Sequence, residues 1–180
     1  MWQALVFPVK LILSPQRPSV TKKFWSGALW REHKLYALLL PEHTENAVVK
    51  KIKNYTKDKI KFHKFTKQQF AKDLQLYFSG ELKKLKWPYD LSGCSDLHVK
   101  IFDALEKVPY GKTIDYTGLA SLAGVPEAVR AVGTALAKNR LPLIIPCHRV
   151  IKKGGALGSF SGGFGPKLKA LMLAIEGSAK

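Results

Sequence analysis

The chain has 180 residues and a formal net charge of +17, from 30 Lys and Arg against 13 Asp and Glu. A hydrophobic fraction of 46% with 24% charged residues is typical of a folded globular protein and excludes a disordered one. Two cysteines cannot form a disulfide framework, so we expect a reducing compartment and a cytoplasmic protein.

The positive charge is spread over both halves of the chain and predicts a polyanionic partner. Nucleic acid is the commonest partner of such a surface, and an anionic membrane is the alternative. The apolar run 2–13 is interrupted by Pro8 and Lys10 and lacks a basic start, so it does not resemble a signal peptide. No stretch approaches the roughly 20 apolar residues of a transmembrane helix, so we expect no membrane association.

The N-terminal half is predicted to be an α/β unit with a small antiparallel sheet. Two short aromatic and apolar segments, 24–30 and 34–40, flank a polar linker and predict a β-hairpin. An earlier strand is expected within residues 2–13, before a proline-rich turn at 15–18. Residues 45–53 are compatible with either a helix or a strand.

A helix is predicted from Thr66 to Phe78, with Thr66 as its N-cap and Gly80 as its stop. Its inward positions have helical spacing: Phe70, Leu74 and Tyr77. Residues 82–91 are expected to be extended. The polar connector 92–95 then marks the predicted boundary between an N-terminal domain, residues 1–92, and a C-terminal domain, residues 93–180.

The C-terminal domain is predicted to be mainly α-helical. A helix capped by Ser95 or Asp96 is expected to run to Val108, where Pro109 and Gly111 end it. A second helix covers 116–123, and a third is expected to begin with Pro126 in its first turn and to end near Lys138. The last two helices, joined by a tight turn, predict a helix-turn-helix. A closing helix is expected over 167–176.

The third of these helices is rich in small residues around one long cation, Arg130. Gly133 costs such a helix about 1 kcal/mol relative to alanine, so its presence calls for a reason. One reason is close packing against another element of the protein. The other is close approach of the helix to a DNA backbone, with Arg130 reaching into the groove.

A single cysteine, Cys147, stands directly before His148 and Arg149, after a proline-punctuated apolar run. A thiol acts as a nucleophile in its thiolate form, which neighbouring imidazole or cationic groups favour. The alternative is that Cys147 is a small buried core residue. Downstream, residues 159–165 form a glycine-rich loop that lacks both the Gly-Lys-Ser/Thr of a P-loop and the context of a dinucleotide-binding turn.

The segment Pro-Cys-His-Arg-Val at 146–150, with Asn139 upstream and Ser-Gly-Gly-Phe at 161–164 downstream, resembles the O6-alkylguanine-DNA alkyltransferases. The resemblance covers roughly residues 95–177. It implies a winged-helix-like C-terminal domain for DNA binding and the active site, and a ribonuclease-H-like N-terminal domain. The implied activity is direct repair of double-stranded DNA, in which an alkyl group moves irreversibly from O6-alkylguanine, or from O4-alkylthymine, to the protein's own cysteine.

The resemblance also implies roles for individual residues. Cys147 would be the alkyl acceptor, His148 the base acting through a water, and Glu176 the group that orients the histidine. Tyr116 would donate a proton to the leaving guanine, and Asn139 would support the turn before the cysteine. Arg130 would fill the gap left by the flipped nucleotide. Further DNA contacts would come from Tyr116, Ala131, Gly133, Thr134, Arg149 and Ser161, and the base pocket from Phe160, Ser161 and Gly162.

Two departures and three alternatives accompany this resemblance. Phe160 carries no hydroxyl where some relatives have a tyrosine, and the closing helix is about two residues longer than the family pattern.

No cofactor and no metal are expected, because the histidines are scattered and no cysteine precedes Cys94. The alternatives are a helix-turn-helix regulator, a cysteine hydrolase and a non-catalytic lesion binder. A monomer is expected.

Overall fold

The computed structural model describes residues 1–12, 21–62 and 68–177. Its N-terminal half is built on a four-stranded sheet of order β3-β2-β1-β4. The strands are β1 (Trp2–Ile12), β2 (Thr21–Arg31), β3 (Lys34–Glu42) and β4 (Ile60–Phe62). The predicted hairpin is confirmed as β2 and β3, and the earlier strand as β1. The turn expected at 15–18 lies outside the described residues.

The sheet is mixed rather than antiparallel as predicted. Strands β1, β2 and β3 form an antiparallel meander, but β4 pairs in parallel with β1, with Trp2 opposite Ile60. The chain leaves β3 at one edge, passes through helix α1 (Glu45–Lys53) and returns at the opposite edge. A crossover of this kind sets strands parallel. Strand β4, Ile-Lys-Phe, has only three residues, too few for their alternation of apolar and polar side chains to predict a strand.

Helix α1 resolves the ambiguity at residues 45–53. Thr44 caps it by accepting a hydrogen bond from the Ala47 backbone N–H at 3.2 Å. Val48 and Ile52, four residues apart, are buried against the sheet. Gly27 in β2 permits this contact, since a Cβ there would lie 2.5 Å from Val48 Cγ1 and 3.0 Å from Ile52 Cδ1.

Helix α2 (Gln68–Phe78) confirms the predicted helix, although its expected cap, Thr66, lies outside the described residues. It contacts β1 and belongs to a different apolar cluster from α1, so the two helices cover opposite faces of the sheet. Its buried side chains are Phe70, Leu74, Tyr77 and Phe78. Residues 82–91 form no strand, and only Tyr89 bridges to Leu35.

The C-terminal half is mainly helical, as predicted. Its helices are α3 (Asp96–Glu106), α4 (Tyr116–Leu122), α5 (Val129–Ala137) and α6 (Pro166–Ile175), with a 3₁₀ turn at Cys147–Arg149. Two short parallel strands, β5 (Ile114–Asp115) and β6 (Val150–Ile151), join the segment before α4 to the segment after the cysteine. Ser95 caps α3 as expected, accepting from the His98 N–H at 3.4 Å.

Helix α5 begins at Val129 and not at Pro126 as predicted. The Ala128 N–H donates to the Val125 carbonyl and closes a separate turn, which contains Pro126. The connection from α4 to α5 therefore occupies residues 123–128 and is longer than the tight turn expected from the sequence.

One apolar core runs through both halves of the chain. Side chains of β1–β3 and α2 share a buried cluster with those of α3, α4, α5 and α6. The structure has a turn at residues 92–93, within the predicted connector, and a domain boundary there stays a prediction. Within the described residues, no helix is long and apolar enough to cross a membrane.

Candidate active site

Cys147 lies on the wall of a cavity of about 370 Å³ between α5, the glycine-rich loop and the end of β3. That volume falls within the range of small-molecule sites. Residues that were predicted separately from the sequence meet here. The lining consists of Leu40, Tyr116, Gly133, Leu136, Ala137, Asn139, Pro142, Cys147, Ser159, Phe160, Ser161, Gly162 and Lys169.

Asn139 holds the turn that delivers the cysteine. Its Oδ1 accepts from the Leu141 N–H at 2.9 Å, and its Nδ2 donates to the Ile145 carbonyl at 2.8 Å. The Cys147 N–H also donates to the Ile145 carbonyl at 2.8 Å. Leu143, at the middle of this turn, has a φ of 72°. Such backbone strain in a bulky residue persists only where the surroundings fix it, and the Asn139 bonds supply that restraint.

A buried histidine and carboxylate stand behind the cysteine. His148 Nε2 lies 2.8 Å from Glu176 Oε1, and both side chains are fully buried. Because an ionised carboxylate only accepts hydrogen bonds, Nε2 must carry the proton in this pair. His148 Nδ1 is buried and has no hydrogen-bond partner in the described part of the chain. Its lone pair is therefore available to accept a proton.

Glu176 is held ionised by four neighbours. Arg149 Nε lies 3.0 Å from its Oε2, the Gly111 N–H donates to Oε2 at 3.1 Å, and His148 and the Tyr77 hydroxyl donate to Oε1. Although burial raises the pKa of this carboxyl, the hydrogen bonds from His148 and Arg149 outweigh it and lower the pKa from 4.5 to about 2.

The position of Arg149 corrects its predicted DNA contact. The side chain is buried, its Nε and one terminal nitrogen bind Glu176, and the other terminal nitrogen donates to the Val108 carbonyl at 2.7 Å. A guanidinium with these donors already used inside the protein cannot reach a phosphate. Its charge instead compensates the carboxylate that orients His148.

Both reactive groups are neutral at rest. Burial raises the pKa of the Cys147 thiol, opposed by a hydrogen bond from Asn139 and by the charge of Lys169. Burial likewise lowers the pKa of His148, opposed by Glu176. The thiol therefore becomes a nucleophile by passing its proton to an acceptor, for which the free Nδ1 of His148 is suited.

Tyr116 and the glycine-rich loop also line the cavity. Tyr116 is the first residue of α4, whose N-cap Asp115 accepts from the Gly118 N–H at 2.7 Å. Ser161 is exposed while Phe160 and Gly162 are half-buried. Gly163 fixes the loop against the N-terminal half, since a Cβ there would lie 2.6 Å from the Pro41 carbonyl oxygen.

Helix α5 presents an open face beside the cavity. Arg130 and Thr134 are exposed, and Ala131 is half-buried. Apart from its chain neighbours and the nearby backbone of its own helix, a Cβ built on Gly133 would meet no heavy atom of the described residues within 4 Å. Packing against another element of the chain therefore does not explain this glycine. The small face is left free for a ligand to approach.

Two functional candidates were missed from the sequence. Tyr77 was assigned only to the buried stripe of α2, and Lys169 was not singled out within α6. The structure places the Tyr77 hydroxyl against Glu176 and His148, and the buried Lys169 ammonium against the Val150 and Leu157 carbonyls on the cavity wall. No signal in the periodicity distinguishes such residues from ordinary core positions. In the portion of the chain described, no three His, Cys, Asp or Glu side chains are grouped to hold a metal.

A thiol backed by a buried histidine and carboxylate is the arrangement of proteins that use cysteine as a nucleophile. The family model for the DNA-binding domain of 6-O-methylguanine DNA methyltransferase matches residues 96–178. A constitutive methylated-DNA–protein-cysteine methyltransferase of Bacillus subtilis (strain 168) is 35% identical over 167 residues, which cover 93% of this chain and 88% of the relative. The chain therefore belongs to the methylated-DNA–protein-cysteine methyltransferase family.

Other comparisons agree with this assignment. The methylated-DNA–protein-cysteine methyltransferase of Mus musculus is 48% identical over 77 residues, 43% of this chain and 36% of the relative. The crystal structure of Mycobacterium tuberculosis OGT in complex with DNA superposes with a TM-score of 0.74 at 26% identity, covering 98% of this chain and 94% of that one.

Proposed function

We propose that this protein repairs DNA directly, by moving an alkyl group from the O6 atom of a damaged guanine to Cys147. The observation that carries the proposal is the Cys147 thiol in a ligand-sized cavity, with the His148–Glu176 pair behind it and the open face of α5 beside it. Family membership adds the reaction class, alkyl transfer to a protein cysteine.

The chemistry follows from the neutral groups at the site. Glu176 keeps the His148 proton on Nε2, so Nδ1 accepts the Cys147 proton, through a bridging water. The thiolate then attacks the alkyl carbon, forming a carbon–sulfur bond as the carbon–O6 bond breaks. A thiolate is a soft, strong nucleophile and displaces at an alkyl carbon far more readily than a neutral alcohol does. The imidazolium that forms is stabilised by the Glu176 carboxylate.

The leaving guanine needs a proton as its O6 bond breaks, and Tyr116 is suited to supply it from the cavity wall. Phe160 offers its ring to the base, while Ser161 and Gly162 offer a hydroxyl and backbone groups. Because Phe160 has no hydroxyl, hydrogen bonding from the loop falls to Ser161. These residues would hold guanine for its edge to be read.

DNA binding is assigned to α4 and α5 as a helix-turn-helix within a winged-helix-like domain. The alkyl carbon lies inside the base stack, so the nucleotide must rotate out at a cost of a few kcal/mol. Arg130 extends from α5 and can occupy the gap, while Ala131, Gly133 and Thr134 allow a close backbone approach. The +17 charge supplies attraction that does not depend on sequence.

The product is a thioether with no bond that water can cleave, so each molecule repairs one lesion. A single chain supplies the cavity and the proton relay of Cys147, His148 and Glu176. We therefore infer that the protein acts as a monomer without a cofactor. Its two cysteines are both free, which suits the reducing cytoplasm. O4-alkylthymine presents a similar alkyl carbon and is a further substrate under this proposal.

The test incubates the protein with a duplex that contains one O6-methylguanine and measures the intact protein mass. We expect one methyl group in place of one hydrogen, located on Cys147 by peptide mapping and absent in Cys147→Ser. No mass gain would refute alkyl transfer and leave the lesion-binder alternative. Strong sequence preference on undamaged DNA would favour the regulator instead.

A further inference from the structure

Tyr77 contacts the reactive centre from the opposite half of the chain. It lies near the C-terminal end of α2, the helix that packs on β1, and it is 0% exposed. Its hydroxyl donates to Glu176 Oε1 and lies 3.2 Å from His148 Nε2. The family model matches residues 96–178, so Tyr77 lies outside the segment matched by that model.

The surroundings of the Tyr77 hydroxyl keep it protonated, so it acts as a hydrogen-bond donor. The groups that face it are Glu176, His148, Arg149 and the Tyr110 ring, whose centroid is 6.3 Å away. Burial and the Glu176 carboxylate raise the pKa of Tyr77 well above its usual value of 10, so the phenol keeps its proton at working pH. Its one proton goes to the carboxylate, because Nε2 already carries a proton of its own.

The contact does more than fill space. Glu176 Oε1 must point at His148 Nε2 to hold the imidazole in the tautomer that leaves Nδ1 free. Arg149 and the Gly111 N–H hold Oε2, and Arg149 also donates to Oε1, so Tyr77 and His148 are the other side chains that donate to Oε1 in the described part of the chain. The buried Tyr77 hydroxyl is therefore a donor from the N-terminal half that helps to keep Oε1 directed at His148.

We propose that Tyr77 is a positioning residue for alkyl transfer, supplied by the N-terminal half, that aligns Glu176 on His148. The inference rests on the proposed function. The apolar core shared by the two halves of the chain brings Tyr77 to Glu176. The relay is complete only when both halves are in place.

The experiment compares Tyr77→Phe with Tyr110→Phe. The Tyr77 change keeps the buried ring and removes only the hydroxyl. Tyr110 donates to the carbonyl of Ile175, the last residue of α6, at 3.2 Å. It makes no hydrogen bond to Glu176 or His148. It is therefore a matched loss of one tyrosine hydrogen bond outside the relay.

Two rates are measured across pH: transfer from free O6-benzylguanine, and alkylation of Cys147 by iodoacetamide, followed by peptide mass. We expect Tyr77→Phe to slow benzyl transfer about tenfold, the order expected for losing a hydrogen bond to a charged group. We also expect its pH profile to shift, with Tyr110→Phe within twofold of wild type. Undamaged-DNA affinity should be unchanged.

Two results would overturn the proposal: wild-type rates and pH profile in Tyr77→Phe, or equal losses in both variants. The iodoacetamide profile separates this from failure of the repair function, because it reports on the relay even if wild type takes no benzyl group. Should Tyr77→Phe not fold, 3-fluorotyrosine at position 77 keeps the ring and hydroxyl. Its more acidic phenol should move the profile to lower pH, and an unmoved profile contradicts the role.

Discussion

Glu176→Gln removes the charge at the centre of the buried cluster while keeping its shape. The Glu176 pKa falls from 4.5 in its usual state to about 2 in the folded protein. At 1.36 kcal/mol per pKa unit, this difference corresponds to about 3 kcal/mol of stability. A depressed carboxyl pKa stabilises the folded state above the unfolded pKa, and the contribution disappears as pH falls through the folded value. It is therefore full at pH 7 and about half that size at pH 3.

Urea unfolding at pH 7 and at pH 3 measures this contribution. We expect Glu176→Gln to be less stable than wild type by about 3 kcal/mol at pH 7, in the range for breaking a buried ion pair, and by clearly less at pH 3. Glu106→Gln is the matched control, because Tyr89 keeps an acceptor there and no buried cation is left behind. A Glu176→Gln deficit that is the same at both pH values would refute the electrostatic reasoning.

Three further substitutions test the DNA face and the cysteine turn. Arg130→Ala should slow repair of duplex by about tenfold or more, since extrusion loses its support, and leave free O6-benzylguanine unaffected; equal losses in single-turnover assays would contradict this. Gly133→Ala should stabilise the fold by up to about 1 kcal/mol, because a Cβ there meets nothing, yet weaken duplex binding measured by anisotropy; a destabilised variant would show that the face is not open. Asn139→Ala loses two turn bonds and should cost about 2 kcal/mol in urea unfolding and slow transfer to both substrates; an unchanged transfer rate would remove its supporting role.

Most helices and the hairpin could be predicted from local patterns. The spacing of Val99, Ile101, Phe102 and Leu105 gives α3, and the polar linker between two aromatic segments gives β2 and β3. The position of β4 in the sheet could not be predicted from the sequence. Three residues are too few to show a strand pattern, and their pairing depends on a crossover that only tertiary packing determines. The start of α5 was misplaced because Pro126 suits a first helical turn as well as it suits the separate turn found here.

The candidate site, like the fold, contains residues that could be predicted from the sequence and residues that could not. Cys147, His148, Asn139 and Tyr116 lie in segments with a recognisable order, so their convergence on one region could be predicted. Arg149 was assigned to DNA by the family resemblance, and only the structure shows that its guanidinium is bound to Glu176. The role of Tyr77 could not be predicted from the sequence either. An aromatic residue on the buried stripe of a helix is normally core, and its hydroxyl partner lies 99 residues away in the chain.

The most direct test of the central claim is a titration of O6-methylguanine duplex against a fixed amount of protein, with repaired lesion counted at completion. Single-use transfer to Cys147 predicts that repair stops when the lesions removed equal the moles of protein, with every protein molecule carrying one methyl group. Repair that continues past that point, or that stops with Cys147 unmodified, would contradict the account.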